Sequence, residues 1–598
     1  MVVALLSLPS CGSDGVDAGI CTSTAPSVAR LWNDQALDAI RRDEPAPTVH
    51  ARNLFHLSAA MWDAFAAFDD DVDPVFVSVD LSAKDKTQAR VDAISFAAVS
   101  ILQHRYRNAV GRTETFEALD AAMLATCGTT VAEALSFVEE GSAAWAGTEI
   151  ARLIIAETIN DGSNERLGYE DLEYEPVNAP LAVNAPGTVM LDPNRWQPLS
   201  LEVAIAQNGT PLPGGEQEFI GSQWGHVTAF ALEASAEGLP VDPGPPPQVG
   251  DDTEFVEGVL EVIEASSELG VGAAVIDLSP GVRGNNPLGS DSGTGHGDNP
   301  VTGAPYDANE VDRADYLRVI AEYWADGPDS ETPPGHWNVI ANEVSDVLEP
   351  DELRFAGTGD ALSRLEWDLR LYLTLNGAMH DAAIAAWGAK AHYDYVRPIS
   401  MIRWLAGNGQ SSDERHPTYS PDGLPLVDGL VEIVTEDSSA PGERHAHLAD
   451  SLGVIAIHAW LGAPDDPVSE TSGVGWIRAI DWVPYQRPTF VTPSFAAYVS
   501  GHSAFSRAGA EILTAVTGSP YFPDGLSEHT TPAGALLHEE GPTTDVTLQW
   551  ASYADAADEA GRSRIAGGIH VPVDDLAGRE MGAEVADAVW DRVTTLFE

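Results

Sequence analysis

The sequence predicts an all-α protein: two helical-bundle halves with long irregular loops and little or no β structure. Three observations carry this. Apolar residues recur at helical spacing in one segment after another. Ala-rich text fills the intervals between them, and no segment of useful length alternates with the two-residue period of a half-buried strand. Runs rich in Gly, Pro and Asn separate the periodic segments.

In chain order, residues 1–25 read as an export signal or lipoprotein-type tail. The stretch MVVALLSLPSC is apolar and short, and Leu8-Pro9-Ser10-Cys11 is similar to a bacterial lipobox, in which Cys11 would carry the lipid. A plain N-terminal tail is the alternative. Residues 26–247 form the N-terminal helical region. Two amphipathic helices fall between Ser27 and Asp69, and helical text continues at Val91–Tyr106, Thr115–Met123 and Val131–Asn160. Loop text follows from Asp161 and ends in GLPVDPGPPPQVG, a linker or long surface loop. Residues 248–598 form the C-terminal bundle. It opens with a helix over Asp252–Leu269, then a glycine-rich loop, DLSPGVRGNNPLGSDSGTGHGDNPVTGAPYD, too long to be a simple connection. Helices resume at Glu310–Ala325, stopped by Asp326-Gly327, and at Asp360–Trp387.

Composition excludes several functions. Of 598 residues, 31 are Lys or Arg and 92 are Asp or Glu, a formal net charge of −61. Such a polyanion is repelled by nucleic acid and by anionic lipid, so neither is an expected partner. No run of 18 apolar residues is present to make a transmembrane segment. Three cysteines, Cys11, Cys21 and Cys127, are too few for a disulfide framework and lack metal-site spacing.

The chemistry resides in three short segments. The first runs from Lys390 to Arg397-Pro398, the second is Pro493-Ser494 through Ser500-Gly501-His502, and the third is Ser563-Arg564 through His570. Cations are scarce in this chain, yet each of the three segments carries a cation or a histidine. Pro398 fixes the backbone after Arg397. Ser500 precedes the helical text SAFSRAGAEILTAV and reads as its N-cap, which leaves the Gly501 N–H free to meet an anion with the helix dipole behind it. Arg564 offers a planar fork for an oxyanion. Three cations, a hydroxyl and a backbone N–H make a site for a phosphate-like ion. One histidine is available to ligate or attack its central atom, and the other to move a proton.

The order and spacing K-x6-R-P, P-S-x5-S-G-H, S-R-x5-H resembles the vanadium-dependent haloperoxidases, bacterial and chloroperoxidase-like, of the type 2 phosphatidic acid phosphatase superfamily. The resemblance extends to the opening helices at Trp32–Phe68, the SPGVRGNNPLG and NPVTGAPY text of the glycine-rich loop, and EYWADGPDSETPPGHW at Glu322–Trp337. In all it spans about Ala29–Leu596. It implies that His570 ligates vanadium. Lys390, Arg397, Ser500, Gly501 and Arg564 would then hold the vanadate oxygens, and His502 would act as the acid–base residue. It implies hydrogen peroxide, a halide and an organic acceptor as partners, and a homodimer. Phe495 and Trp387 match halide-pocket positions of chloroperoxidases, with core packing as the alternative. Asp326 matches an acid that orients Arg564. Asp574 either orients His570 or caps a helix, on which Gly578 and Gly582 would permit close packing.

Two readings compete with a haloperoxidase. The same residues suit an acid phosphatase in which His570 is the phospho-accepting nucleophile and His502 protonates the leaving group. A non-enzymatic envelope protein with an acidic surface is the third reading. Asp291, Asp298 and Asp307, in or beside the glycine-rich loop, are candidates for calcium, against a plain solvated loop. His380-Asp381 reads as packing.

Overall fold

The computed structural model describes residues 4–5 and 20–597, apart from 70, 80, 137, 172, 206–210, 213–214, 251–252, 273 and 328. The lipobox-like motif ending at Cys11 and the helix start at Asp252 lie outside the described residues. Six helices build the N-terminal region: α1 (Val28–Ile40), α2 (Pro47–Ala66), α3 (Lys86–Arg105), α4 (Arg112–Cys127), α5 (Val131–Ser136) and α6 (Ala143–Thr158). After the long loops come α7 (Thr253–Ser267), α8 (Arg313–Tyr323), α9 (Thr332–Val347), α10 (Arg364–Tyr393), α11 (Pro398–Asn408), α12 (Gly501–Thr517), α13 (Tyr553–Ala566) and α14 (Pro572–Phe597). The fold is mostly α, as the periodicity predicts.

Three local differences from the sequence reading have physical causes. The helical text over Val131–Asn160 forms two helices, because Gly141 takes a left-handed conformation (φ 85°) and Ser142 caps α6 by accepting the Trp145 N–H. Helix α10 continues past Trp387 to Tyr393 and is stopped by Asp394 in the left-handed region, so Lys390 stands on its last turn. Small sheets also occur. Val431–Ile433, Ile455–Trp460 and Val474–Arg478 form an antiparallel sheet with the middle segment central, and Ser527–Thr531 pairs with Val546–Trp550. Each is at most six residues long and set in Gly- and Pro-rich text, which hides a period-two signal.

Helix α10 is the hub. Its Ala-rich sequence is buried on every side from Trp367 to Lys390 apart from Arg370. A helix apolar all round belongs in a core. It packs on α2 on one side and on α12 and α14 on the other. Glycines let loops press against it: a Cβ on Gly388 would stand 2.4 Å from the Gly238 carbonyl, and one on Gly377 would stand 2.7 Å from the Phe230 ring.

Buried carboxylates hold the irregular segments. Asp63 of α2 accepts the backbone N–H groups of Val75, Phe76 and Val77 at 2.6–3.0 Å. Asp381 of α10 does the same for Phe230, Ala231 and Leu232 at 2.7–3.0 Å, and His380 meets the Thr228 carbonyl at 3.1 Å. The His380-Asp381 pair thus organises a loop whose backbone donors have no sheet or helix partner.

Cys21 and Cys127 form a disulfide across 106 residues, where the cysteine count suggests no framework. Two cysteines so far apart carry no spacing signal. The bridge ties the N-terminal segment to the end of α4, and Asp92 adds an anchor by accepting the Cys21 N–H at 2.8 Å. A bridge closing a loop of this length constrains the unfolded chain, so its reduction is expected to lower stability by about 2–5 kcal/mol. Urea unfolding with and without dithiothreitol checks this; coincident midpoints would contradict it.

Candidate functional site

Each motif residue is placed by an element end. Lys390 is on the last turn of α10. Arg397 is the residue before α11, with Pro398 at the first helical position, where its missing N–H costs nothing. Ser500 caps α12 by accepting the Ser503 N–H at 3.3 Å, so Gly501 is the first helical residue and its N–H has no intrahelical acceptor. Arg564 lies in the last turn of α13. The chain then turns through Gly567 and Gly568 (φ 72°) and brings His570 to the start of α14. A Cβ on Gly568 would lie 2.9 Å from Pro484, which fixes a glycine there.

The structure brings these residues together in one buried cluster. Lys390 Nζ donates to the carbonyls of Ala496 (2.9 Å) and Ala497 (2.8 Å). Arg397 donates through Nε and Nη2 to the Phe495 carbonyl at 3.0 and 2.9 Å. Its Nη1 reaches the Ile569 carbonyl at 2.8 Å and His570 Nε2 at 3.0 Å. Arg564 donates through Nη2 to the Ala321 carbonyl at 3.1 Å and through Nε to Ser563 Oγ at 3.1 Å, and its Nη1 lies 3.4 Å from His502 Nε2. Among the described residues, none of the three cations has a carboxylate within 4.0 Å, although the chain carries 92 acids.

That arrangement is costly without an anion. Burial and the neighbouring Arg397 push the Lys390 ammonium well below its usual range. Burial brings Arg397 down to about 9 and Arg564 down to about 10. A multivalent oxyanion would neutralise the three together and accept their hydrogen bonds. The donor set therefore fits vanadate or phosphate.

His570 is held ready to bind one. Its Nδ1–H donates to Asp574 Oδ2 at 2.8 Å, which leaves the lone pair on Nε2, and Nε2 faces Arg397. Burial holds the imidazole well below its usual pKa, with Arg397 and Lys390 adding to the shift, so the ring is neutral. Asp574 also accepts the Val571 N–H at 3.2 Å. Asp574 lies inside the first turn of α14, so it is not the N-cap that one sequence reading expects; from there its carboxylate holds His570 and reaches back to the Val571 N–H. His502 is likewise held well below its usual pKa by burial and then by Arg564, against a hydrogen bond to the Trp324 carbonyl.

The cleft at this cluster is lined by Pro47, Pro333, Pro493, Phe495, Trp387, Phe505 and Ile569, together with Asp326, Gly501, His502 and His570. Phe495 and Trp387 line it and also pack, with ring centroids 4.8 Å apart. Lys390 Nζ lies 5.1 Å from the Phe495 centroid and 5.6 Å from that of Trp387. A Cβ on Gly501 would lie 3.1 Å from the Trp387 ring. Asp326 lies close enough to Arg564 to feel its charge, and burial raises its carboxyl to about 6. Sequence reasoning missed Pro47 of α2 and Pro333 of α9 as walls. Both are prolines at helix starts, a pattern with an ordinary structural explanation.

The calcium candidates do not form an acidic cluster. Asp291 is taken by Arg562 at 2.6 Å and by Arg579 at 2.8 Å. Among the described residues no group of three or more His, Cys, Asp or Glu side chains is arranged to hold a metal ion. A larger cavity of about 560 Å³ lies between α7, α8 and α13, walled by Glu257, Glu261, Glu264, Arg283 and Arg562. It contains neither histidine of the motifs, so the chemistry belongs to the smaller cleft.

Residues 370–420 and 447–598, which hold all of the motif residues, match the family model of the VCPO second helical-bundle domain. A holo-type bacterial vanadium-dependent chloroperoxidase superposes with a TM-score of 0.62 at 19% identity, covering 97% of this chain and 100% of that one. The apo-type structure gives 0.62 at 19% identity over 93% and 95%. A bacterial vanadium-dependent iodoperoxidase gives 0.52 at 17% identity over 94% and 96%. The chain shares the fold of these proteins. No curated protein sequence is significantly similar to it.

Gly578 and Gly582 do allow close packing of α14 on α12. A Cβ on Gly578 would stand 2.8 Å from the Ser500 carbonyl and 2.9 Å from Ser503 Cβ. Gly578→Ala is therefore expected to push α14 from the α12 N-terminus and to cost about 1–3 kcal/mol. Urea unfolding of the variant checks this, and an unchanged midpoint would contradict the packing account.

Proposed function

We propose that the protein is a vanadate-dependent haloperoxidase, which uses hydrogen peroxide to oxidise a halide to hypohalous acid for halogenation of organic acceptors. The observation that carries this is the buried set of Lys390, Arg397 and Arg564, without carboxylate partners among the described residues, around a neutral His570. When bound, vanadate supplies a Lewis-acid centre that activates peroxide without changing its own oxidation state. His570 Nε2 would hold it, with the Lys390, Arg397 and Arg564 side chains, the Ser500 hydroxyl and the Gly501 N–H on its oxygens. Asp574 keeps the proton on His570 Nδ1 so that Nε2 stays available. His502 Nε2 takes and returns the peroxide proton. The reaction consumes peroxide, halide and one proton and yields hypohalous acid and water. Phe495, Trp387, Phe505 and three prolines give the cleft an apolar wall, a low-dielectric surrounding that strengthens each charged contact. The shared fold and the match over the C-terminal bundle support the reading.

We also propose that the chain is exported. The Cys21–Cys127 disulfide supports this, because such bridges persist in oxidising compartments.

Loss of monochlorodimedone with peroxide and chloride, bromide or iodide tests the activity, with and without orthovanadate. Vanadate-dependent turnover that His570→Ala abolishes is expected. No oxidation, with vanadate-inhibited hydrolysis of a phosphate ester in its place, would overturn the haloperoxidase reading in favour of a phosphatase. Asp574→Asn is expected to weaken orthovanadate binding about 10–100-fold, measured by calorimetry; unchanged affinity would contradict the role of Asp574.

A further inference from the structure

We propose that Arg579, with Asp291 and Asp575, is a positioning device that sets the two site histidines against each other; this rests on the oxyanion site described above. Arg579 lies on α14 and is fully buried (0% exposed). Its fork grips Asp575, with Nε on Oδ1 at 2.9 Å and Nη2 on Oδ2 at 2.5 Å. Asp575 is the neighbour of Asp574, which orients His570. Asp575 Oδ1 also accepts the Ser503 hydroxyl at 2.7 Å, and Ser503 is the neighbour of His502. One carboxylate thus ties the residue after one histidine to the residue after the partner of the other.

The remaining bonds of Arg579 fix that carboxylate in space. Nη2 donates to the Asp558 carbonyl on α13 at 3.2 Å, and Nη1 lies 3.2 Å from Asp558 Oδ1. Nη1 also donates to Asp291 at 2.8 Å. Asp291 belongs to the glycine-rich loop, which is itself fastened to α13. Asp555 accepts the Asn285 N–H at 2.7 Å and meets His296 Nε2 at 2.8 Å, and Asn286 donates to Asp558 at 3.0 Å. The loop therefore acts as a strap across α13 and α14, and Arg579 is where the strap reaches the site. The space is made by sequence: a Cβ on Gly561 of α13 would stand 2.0 Å from Asp575 Oδ1 and 3.0 Å from Ser503 Oγ. No residue of this network touches the oxyanion cleft, so its effect on binding passes through backbone and side-chain placement.

Orthovanadate titrated calorimetrically into the purified full-length protein tests this, with thermal unfolding measured on every variant. The variants are Arg579→Lys, Arg579→Met and Asp291→Asn, with Asp63→Asn as a variant that loosens a distant loop. Arg579→Lys keeps the charge but loses the fork, and is expected to weaken vanadate affinity about tenfold. Asp291→Asn, at an exposed strap residue, is expected to lose less. Asp63→Asn is expected to lower the unfolding temperature and leave affinity unchanged. If Arg579→Met does not fold, the Lys and Asn variants decide. Wild-type affinity in Arg579→Lys and Asp291→Asn overturns the proposal, as does an affinity loss in Asp63→Asn that follows its unfolding temperature. A wild-type protein that binds no vanadate overturns the site reading itself, an outcome distinct from wild-type binding that the variants share.

Discussion

Three buried cations set the terms for the rest of this structure. In a chain with three acids for every base, Lys390, Arg397 and Arg564 are nonetheless kept from every carboxylate within 4.0 Å among the described residues. They are held instead by backbone carbonyls of Phe495, Ala496, Ala497, Ala321 and Ile569. A carbonyl steadies a cation without neutralising it, so the positive charge stays available. The fold supplies those carbonyls and the cations they hold by ending helices α8, α10 and α13 and starting α11, α12 and α14 around the same point. Each of these ends is defined by a small set of residues: Pro398, Ser500, Gly501, Gly568 and Asp574.

Close packing makes the convergence possible. Glycines at 501, 561, 578 and 582 sit where a Cβ would meet Trp387, Asp575, Ser500 or Ala504 at 2.0–3.1 Å. The long loops are not slack between the helices. Asp63 and Asp381 gather loop backbone donors, and Asp291 and Asp555 fasten the glycine-rich strap. Much of the chain's acidity is thus structural as well as solvating. The same strap, whose aspartates the sequence offers as calcium candidates against a plain solvated loop, acts on the helices behind the site.

The helical architecture was legible because amphipathic periodicity is local and strong in α1 and α12, and because α10 is a long Ala-rich run. The motif residues were legible because their types and spacing are rare in combination, and the structure gathers the cations and histidines among them in one buried cluster. What the sequence hid is non-local. The disulfide joins residues 106 apart, Pro47 and Pro333 reach the cleft from helices remote in sequence, and the short strands are too brief to show a period. The Arg579 network is non-local in the same way. Its members lie on the strap, α12, α13 and α14, and an Arg-Asp pair at i, i+4 spacing reads from sequence as an ordinary helix pair.

The central claim is that one oxyanion completes the buried cluster at His570. The most direct measurement is a crystal structure of the protein soaked with orthovanadate. The account predicts density for a vanadium oxyanion joined to His570 Nε2, with its oxygens met by Lys390, Arg397, Arg564, Ser500 and the Gly501 N–H. Vanadate bound elsewhere, or a cleft that stays free of it while Lys390 and Arg397 keep their carbonyl partners, would contradict the account.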